Sequence, residues 1–391
     1  MERIGVFGGT FNPVHVGHFR MAQYAREALN LDRVLMIPDK IAPHKQLPEG
    51  SPSPWQRLEM VRLGLLPECG VEASTISLER SGPSYTYETV IRIRAMCPDA
   101  KLYLLLGDDM LPSFPDWREP EQILKEAALA VFCRDGKEAP VQQAKQMIEA
   151  MGGEVILLSN PITDISSTQL RRMLVFRCAS AFIPEKIEEF IYQNQLYETG
   201  ADYRNLPEER LEQVVTGLLK PNRVKHVLGC RDTAVELAKL YGVNTRDAAR
   251  AALLHDITKA LDGPLQLTLC RSYDTILDEF SAKNPKTLHA LTGSLVAERI
   301  FGENQAVVDA IRCHTTGKAD MNLLEKIIYV ADYMEPNRDF PGVEKLRKLA
   351  YTNITQALEL GLEMTLAMLN EQGREISPES REALIYLKVN R

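Results

Sequence analysis

The rhythm of apolar residues changes once along this chain, and that change limits the fold more than any other feature. Up to about residue 200, short apolar runs end at turn residues: "IGVFGG", "RVLMIPD", "KLYLLLGDD", "LAVFCRDG" and "EVILLSNP". Between them lie stretches of helical spacing, at 19–30, 54–66, 85–96 and 120–128. Short apolar strands, each followed by a helix, predict a parallel sheet covered on both faces. "VEASTISLER" reads as one further strand. Past "ETGADYRNLPEER", a polar stretch with Gly and Pro, strand-like alternation ends. "ERLEQVVTGLLK", "RDTAVELAKLYG", "TRDAARAALLHDITKAL", "TLHALTGSLVAERIFG" and "LLEKIIYVADYME" instead repeat apolar residues at i, i+3 and i+4. The expectation is an α/β chain in two parts: a doubly wound parallel-sheet domain over 1–200 and an all-α domain over 203–391.

Composition narrows the class. A chain of 391 residues is too long for one typical core. No apolar run reaches the length of a membrane span, and "MERIGVFGG" lacks the basic and apolar regions of a signal peptide. The seven cysteines are odd in number, scattered and never spaced CxxC, which fits reduced thiols in a cytoplasm. Formal net charge is −7, with acids outnumbering bases in both halves, so a nucleic-acid polymer is not an expected partner. Small anionic ligands, which need only a few cations, remain. No membrane partner is expected, and oligomeric state is left open.

The stretch "GGTFNPVHVGH", residues 8–18, places a glycine turn between a strand end and a helix start. It is not GxGxxG, so a dehydrogenase is not supported. A helix N-terminus with free N–H groups is an anion site. His15 and His18 add imidazole donors there, and Gly17 leaves room for a nucleotide against the backbone. A second such place is "SNPITDISSTQLRRML", where Ser166, Ser167 and Thr168 precede an amphipathic helix carrying Arg171 and Arg172. Ser and Thr there are also ordinary helix caps, but the arginines favour phosphate.

Together "GTFNPVHVGH" and "ISSTQLR" resemble the HxGH and ISSTxxR signatures of the nucleotidyltransferase superfamily. "IPDKIAPHK", "GPSYTYETV" and "GDDMLPSFPDW" extend the resemblance to the nicotinate mononucleotide adenylyltransferases. That family moves AMP from ATP onto nicotinate mononucleotide, giving nicotinate adenine dinucleotide for NAD biosynthesis and releasing pyrophosphate. The resemblance implies ATP binding by Gly8, Gly9, Thr10, Phe11, Gly17, Gly107, Asp109, Ile165, Ser166 and Ser167. It implies mononucleotide binding by His44, Lys45, Tyr85, Thr86 and Trp117, with the Trp on the pyridine ring. His15, His18 and Arg171 would be catalytic, and Mg²⁺ would travel with ATP. In-line attack on the α-phosphorus needs no enzyme nucleophile, so catalysis is positioning and charge neutralisation. Asn12 stands where the family more often has Asp; it keeps the turn-capping shape and loses the charge.

Of the seven histidines, four lie in the helical half: His226, His255, His289 and His314. With Asp256 and Asp332 they form a four-His, two-Asp set, as a two-metal oxygen/nitrogen site requires. No cysteine joins them at zinc-finger spacing, and the donors suit Fe or Mn. The order His226, His255-Asp256, His289, His314, Asp332 resembles the HD-domain phosphohydrolases. "LLHDITK", "HTTG" and "ADYMEPNRDFPGV" are similar to the subgroup that cleaves diadenosine tetraphosphate symmetrically into two ADP. The resemblance implies a di-iron centre, catalytic roles for Asp256 and Lys259, and nucleotide contacts from Thr315, Thr316 and Arg338. Two alternatives stay open: another nucleotide phosphoanhydride as substrate, or a non-catalytic nucleotide sensor that regulates the transferase.

Overall fold

The computed structural model describes residues 1–42, 46–66, 69–133, 138–159 and 165–390. The chain divides into two compact units, Met1–Ala201 and Asp202–Arg391.

The first unit alternates strand and helix: β1 (Arg3–Gly9), α1 (Val16–Ala28), β2 (Arg33–Pro38), α2 (Pro54–Gly64), β3 (Val71–Ala73), α3 (Thr86–Met96), β4 (Lys101–Gly107), α4 (Pro120–Glu126), β5 (Ala127–Cys133), α5 (Glu138–Ala150), β6 (Val155–Ser159), α6 (Ser167–Val175) and α7 (Glu185–Gln193). The six strands form one parallel sheet in the order β3-β2-β1-β4-β5-β6. Ile4, Val6, Leu102, Leu104, Leu129 and Val131 are all but fully buried at its centre, which is why these strands read as unbroken apolar runs. Chain order runs outward from β1 through β2 to β3, then in the other direction from β4. The carboxyl ends of β1 and β4 therefore flank the point where winding reverses, and a crevice opens there in folds of this kind.

Of "VEASTISLER" only Val71–Ala73 is strand. Ser74 Oγ accepts from the Ile76 amide and Leu78 N donates to Thr75 O, so local hydroxyl and turn bonds displace the ladder. The helix read from residue 19 begins three residues earlier, at Val16, because His15 caps it.

The second unit is helical: α8 (Glu208–Leu218), α9 (Pro221–Tyr241), α10 (Thr245–Leu254), α11 (Gly263–Ser272), α12 (Glu279–Lys283), α13 (Leu288–Arg299), α14 (Gln305–Cys313), α15 (Leu323–Met334), α16 (Val343–Ala350), α17 (Ile354–Glu371) and α18 (Pro378–Val389). Asn side chains cap α10, α14, α15 and α17, each accepting from the first-turn amides. "TRDAARAALLHDITKAL" is not one helix: α10 stops at Leu254, and 255–261 continue as turns closed by Ile257 N to Leu254 O and Lys259 N to Asp256 O. Thr258 supplies the reason, because its hydroxyl lies 3.1 Å from His289 O and 2.8 Å from Thr292 Oγ1, tying the turn to α13. His255 thus sits at the end of α10 and Asp256 beyond it. No helix among the described residues is long and apolar enough to cross a membrane.

Candidate active sites

In the first unit the glycine turn after β1 delivers two histidines to the start of α1. His15 is the N-cap, with extended backbone, and its Nδ1 accepts from Gly17 N at 3.2 Å. His18 closes the reciprocal half: its Nδ1 accepts from His15 N at 3.2 Å. The pair is a capping box made of imidazoles, with ring centroids 3.8 Å apart. A neutral ring whose Nδ1 accepts carries its proton on Nε2. Burial lowers His15 to about 4, and burial together with His15 holds His18 well below its ordinary value. Both rings are therefore neutral Nε2–H donors at a helix N-terminus.

The two phosphate motifs of the sequence meet in one place. Arg171 Nη1 donates to Asn12 O at 2.7 Å, and Ser167 Oγ donates to Pro13 O at 3.0 Å. Ser166 caps α6 through Gln169 N at 3.2 Å. Arg57, 1 % exposed, holds the other side of the same turn, donating to Thr10 O at 2.5 Å and Asp39 O at 2.6 Å. Asn12 donates from Nδ2 to Ser51 Oγ at 3.0 Å, a bond that a carboxylate would have to accept instead.

Beside this turn, at the carboxyl ends of β1 and β4, lies a cavity of about 330 Å³. Gly8, Gly9, Thr10, Tyr85, Thr86, Gly107 and Trp117 line it, and Asp39 and Arg118 join them. A Cβ on Gly8 would meet nothing within 4 Å, so the backbone there lies open to a ligand. Burial raises the Asp39 carboxyl to about 6 against the opposing charge of Arg57.

In the second unit six side chains converge from α9, the end of α10, α13, the end of α14, and α15. Asp256 is at the centre: its Oδ1 lies 3.4 Å from His289 Nε2 and 4.0 Å from His314 Nε2, and its Oδ2 lies 3.6 Å from His255 Nε2 and 3.8 Å from His226 Nε2. Asp332 Oδ1 stands 3.1 Å from His226 Nε2 and 3.8 Å from His255 Nε2. Two overlapping groups have the spacing to hold an ion, His226–His255–Asp332 and His255–Asp256–His314, and they share His255. Every histidine has its Nδ1 fixed from behind: His255 by Ala252 O at 2.6 Å, His289 by Lys286 O at 2.9 Å, His314 by Ile311 O at 2.6 Å, and His226 by Glu335 Oε1 at 3.1 Å. Those acceptors put the proton on Nδ1 and aim the Nε2 lone pair inward, the tautomer a metal ligand needs. The Nε2 atoms of His226, His255 and His314 are buried with no hydrogen-bond partner among the described residues. Three inward lone pairs beside two carboxylates fit a divalent cation.

Residues 6–173 match the family model described as Cytidylyltransferase-like, and residues 223–337 match the HD domain. The Gloeobacter violaceus protein "Probable nicotinate-nucleotide adenylyltransferase" is 38 % identical over 203 residues, covering 51 % of this chain and 98 % of its own. Its Dictyoglomus turgidum counterpart is 35 % identical over 196 residues, covering 50 % and 95 %. Through its first unit, the chain belongs to the nicotinate-nucleotide adenylyltransferase family. The second unit is a helical HD domain. A crystal structure of the "predicted HD superfamily hydrolase involved in NAD metabolism" from Clostridium acetobutylicum is 36 % identical, covering 48 % of this chain and 99 % of that one, at a TM-score of 0.46.

Within the adenylyltransferase unit, the remaining sequence candidates lie at the glycine turn, at the end of β4 and before α6. Phe11 is buried, edge-on to Phe7 and His18. Gly17 donates the amide that fixes His15, and Ile165 is buried just before the α6 cap. Asp109 Oδ1 lies 2.5 Å from where a Cβ on Gly107 would stand, so only glycine fits there without displacing it. His44 and Lys45 lie outside the described residues. Within the HD domain, Lys259 Nζ reaches His289 Nε2 at 2.7 Å and Asp256 Oδ1 at 3.7 Å; burial brings it down to about 8. Arg338 donates to Asp332 Oδ1 at 2.7 Å. Thr315 and Thr316 line a cleft of about 260 Å³ that also takes in Lys283, Lys286 and Arg374. Four residues escaped the sequence reading: Arg57, Arg118, Arg223, which pairs with Asp256, and Glu335. Of these Glu335 carried a local signal, standing three residues after Asp332 on the same quoted motif.

Proposed function

We propose that the first unit transfers AMP from ATP to nicotinate mononucleotide, releasing pyrophosphate and forming the dinucleotide precursor of NAD. The observation that carries the reading is the joining of both phosphate motifs: Arg171 and Ser167 are bonded to the turn that presents His15 and His18. The two Nε2–H groups offer hydrogen bonds to ATP phosphate oxygens without adding charge. Arg171 supplies the charge, beside the same turn, to stabilise the departing pyrophosphate. The Gly8–Gly9 end of the cavity lets the acceptor phosphate approach the backbone. Mg²⁺ would accompany ATP as part of that substrate. Pyrophosphate release from ATP and nicotinate mononucleotide tests it; no release with either pyridine mononucleotide would sink the assignment.

For the HD domain we infer a two-metal phosphohydrolase acting on diadenosine tetraphosphate, with ADP as sole product. His226, His255, Asp256, His289, His314 and Asp332 would hold the ions, Fe or Mn. Such ions, when bound, supply Lewis acidity and an activated water. The chain's own residues do the rest: Asp256 touches both ligand groups, and Lys259 and Arg338 bring positive charge to the rim. Thr315 and Thr316 open onto a cleft lined by three further cations, Lys283, Lys286 and Arg374, and one acid, Glu375, a net positive charge that favours a polyphosphate. The test is chromatography of products after incubation with diadenosine tetraphosphate and Mn²⁺ or Fe²⁺. ADP alone, lost in Asp256→Asn while AMP transfer persists, supports the reading. AMP with ATP, or no product from metal-loaded protein, overturns it.

A further inference from the structure

The donors of the HD set already face side-chain cations. Arg223 Nη2 pairs with Asp256 Oδ2, Arg338 Nη2 with Asp332 Oδ1 at 2.7 Å, and Lys259 Nζ with His289 Nε2 at 2.7 Å. Asp256, Asp332 and Glu335 bring three formal negative charges to this cluster, and the three cations balance them. With a divalent ion among the donors, the same cluster holds two surplus positive charges. Charge balance then favours two changes: a side-chain cation leaves its carboxylate, and an anion joins the site.

Arg223 is the cation placed to move. It lies in the first turn of α9, three residues before His226 and so on the same face of the helix. Its side chain is 25 % exposed against 1 % for Asp256, so the guanidinium bridges from a buried carboxylate toward solvent. Among the described residues Asp256 is the only hydrogen-bond acceptor for its guanidinium, and its Nε has no partner. Arg338 is tied twice to one residue, through Nε to Asp332 O at 2.9 Å and through Nη2 to Asp332 Oδ1. We propose that Arg223 is an exchangeable counter-ion: it neutralises Asp256 while no metal is bound, yields that carboxylate to the ion, and turns to an oxygen of the substrate phosphate. The proposal rests on the metal-dependent phosphohydrolase reading above. A buried carboxylate without counter-charge is costly, which is why a cation stands there in either state. A guanidinium against the same oxygen also repels the ion, so the arginine opposes metal binding and later serves the anion that the metal attracts.

The experiment is calorimetric titration of the metal-stripped full chain with Mn²⁺, in wild type, Arg223→Met, Arg223→Gln and Arg223→Lys, with thermal melting of the stripped forms. Removing the competitor should tighten Mn²⁺ binding roughly 10-fold in the two neutral variants, as expected for a half-exposed charge-assisted pair. Their stripped forms should melt lower than wild type, because Asp256 has lost its counter-ion. Arg223→Lys keeps the charge and should stay nearer wild type in both readouts. On Mn²⁺-loaded protein the effect reverses: Kd for inorganic phosphate should rise roughly 10-fold in the neutral variants. Unchanged or weaker Mn²⁺ binding in both neutral variants would overturn the competition. An unchanged phosphate Kd would overturn the exchange. A wild type that binds no Mn²⁺ would instead overturn the metal reading of the HD domain.

Discussion

Glu335→Gln is the most telling single change in the HD domain, because both oxygens of that carboxylate are committed. Oε1 lies 3.1 Å from His226 Nδ1, while Oε2 accepts from Asn337 N at 2.8 Å and Asn337 Nδ2 at 2.7 Å. The side chain is 1 % exposed, so water does not replace a lost partner. Glutamine has one acceptor oxygen and one donor nitrogen. If the oxygen faces His226, the amide N–H₂ faces two Asn337 donors. If it faces Asn337, the N–H₂ donates to His226 Nδ1 and drives the ring proton to Nε2, where it blocks a metal. The first arrangement leaves both Asn337 donors without their acceptor, at about 1–3 kcal/mol each; the second keeps every bond and puts the ring proton where a metal would bind. Outer-shell partners of metal-bound histidines typically govern 10- to 100-fold in affinity, roughly the same free energy. Calorimetric titration of metal-stripped protein with Mn²⁺ should show that loss in Kd, and thermal melting of the stripped forms separates a binding defect from a folding defect. Equal Kd for wild type and variant, with equal melting, would refute the claim that Glu335 sets the His226 tautomer.

Other outcomes follow from the same geometry. His18→Ala removes both the acceptor for His15 N and one Nε2–H donor; it should cost about 1 kcal/mol in unfolding free energy and about 10²-fold or more in kcat for pyrophosphate release. Arg57→Met leaves Thr10 O and Asp39 O without their donor, so about 1–3 kcal/mol of stability and ATP affinity should fall together. Because His15 is held at about 4 when folded and near 6.5 when unfolded, the unfolded chain takes up a proton first as pH drops. Stability from this group is complete above pH 6.5 and declines from there toward pH 4, by roughly 3 kcal/mol in all. Urea titrations of His15→Asn should show a shallower decline over that window than wild type. A parallel decline would refute the burial argument.

The sheet was legible because β1, β2, β4 and β5 are buried on both faces, which leaves an apolar run with no alternation to misread; β6, half-buried at the sheet edge, keeps the same apolar run. β3 was legible only as a place: three residues pair, and Ser74 and Thr75 turn the rest. The start of α1 was legible from the glycine turn and the two histidines, although apolar periodicity shows only from residue 19; what the sequence hid is that the cap itself is a histidine, since caps are usually read from Ser, Thr, Asp and Asn. The six-residue HD set was visible as an order of residue types. Their convergence was not: Asp256 sits past the end of α10, where Thr258 ties the turn to α13, a contact between residues 31 and 34 apart. Arg57, Arg118 and Arg223 are invisible for another reason. Each acts through backbone carbonyls, aromatic faces or a carboxylate brought close only by folding, and a lone arginine in sequence is more often a solvated surface charge.

Histidine does opposite work in the two units, and the group that its Nδ1 meets decides which. At the start of α1 that group is an amide, so His15 and His18 accept through Nδ1 and are left with outward Nε2–H donors for phosphate. His255 and His314 stand at helix C-termini, and His289 lies just inside the start of α13. All three meet a carbonyl three residues back, which accepts from Nδ1–H and leaves Nε2 as a bare lone pair. His226, in the second turn of α9, bonds through Nδ1 to Glu335 instead of to a carbonyl. Lacking the backbone rule, His226 is the histidine whose function depends on a partner distant in sequence. If that reasoning holds, Glu335→Gln should weaken metal binding more than any single change behind His255 or His314, where no side chain can be removed to free the ring.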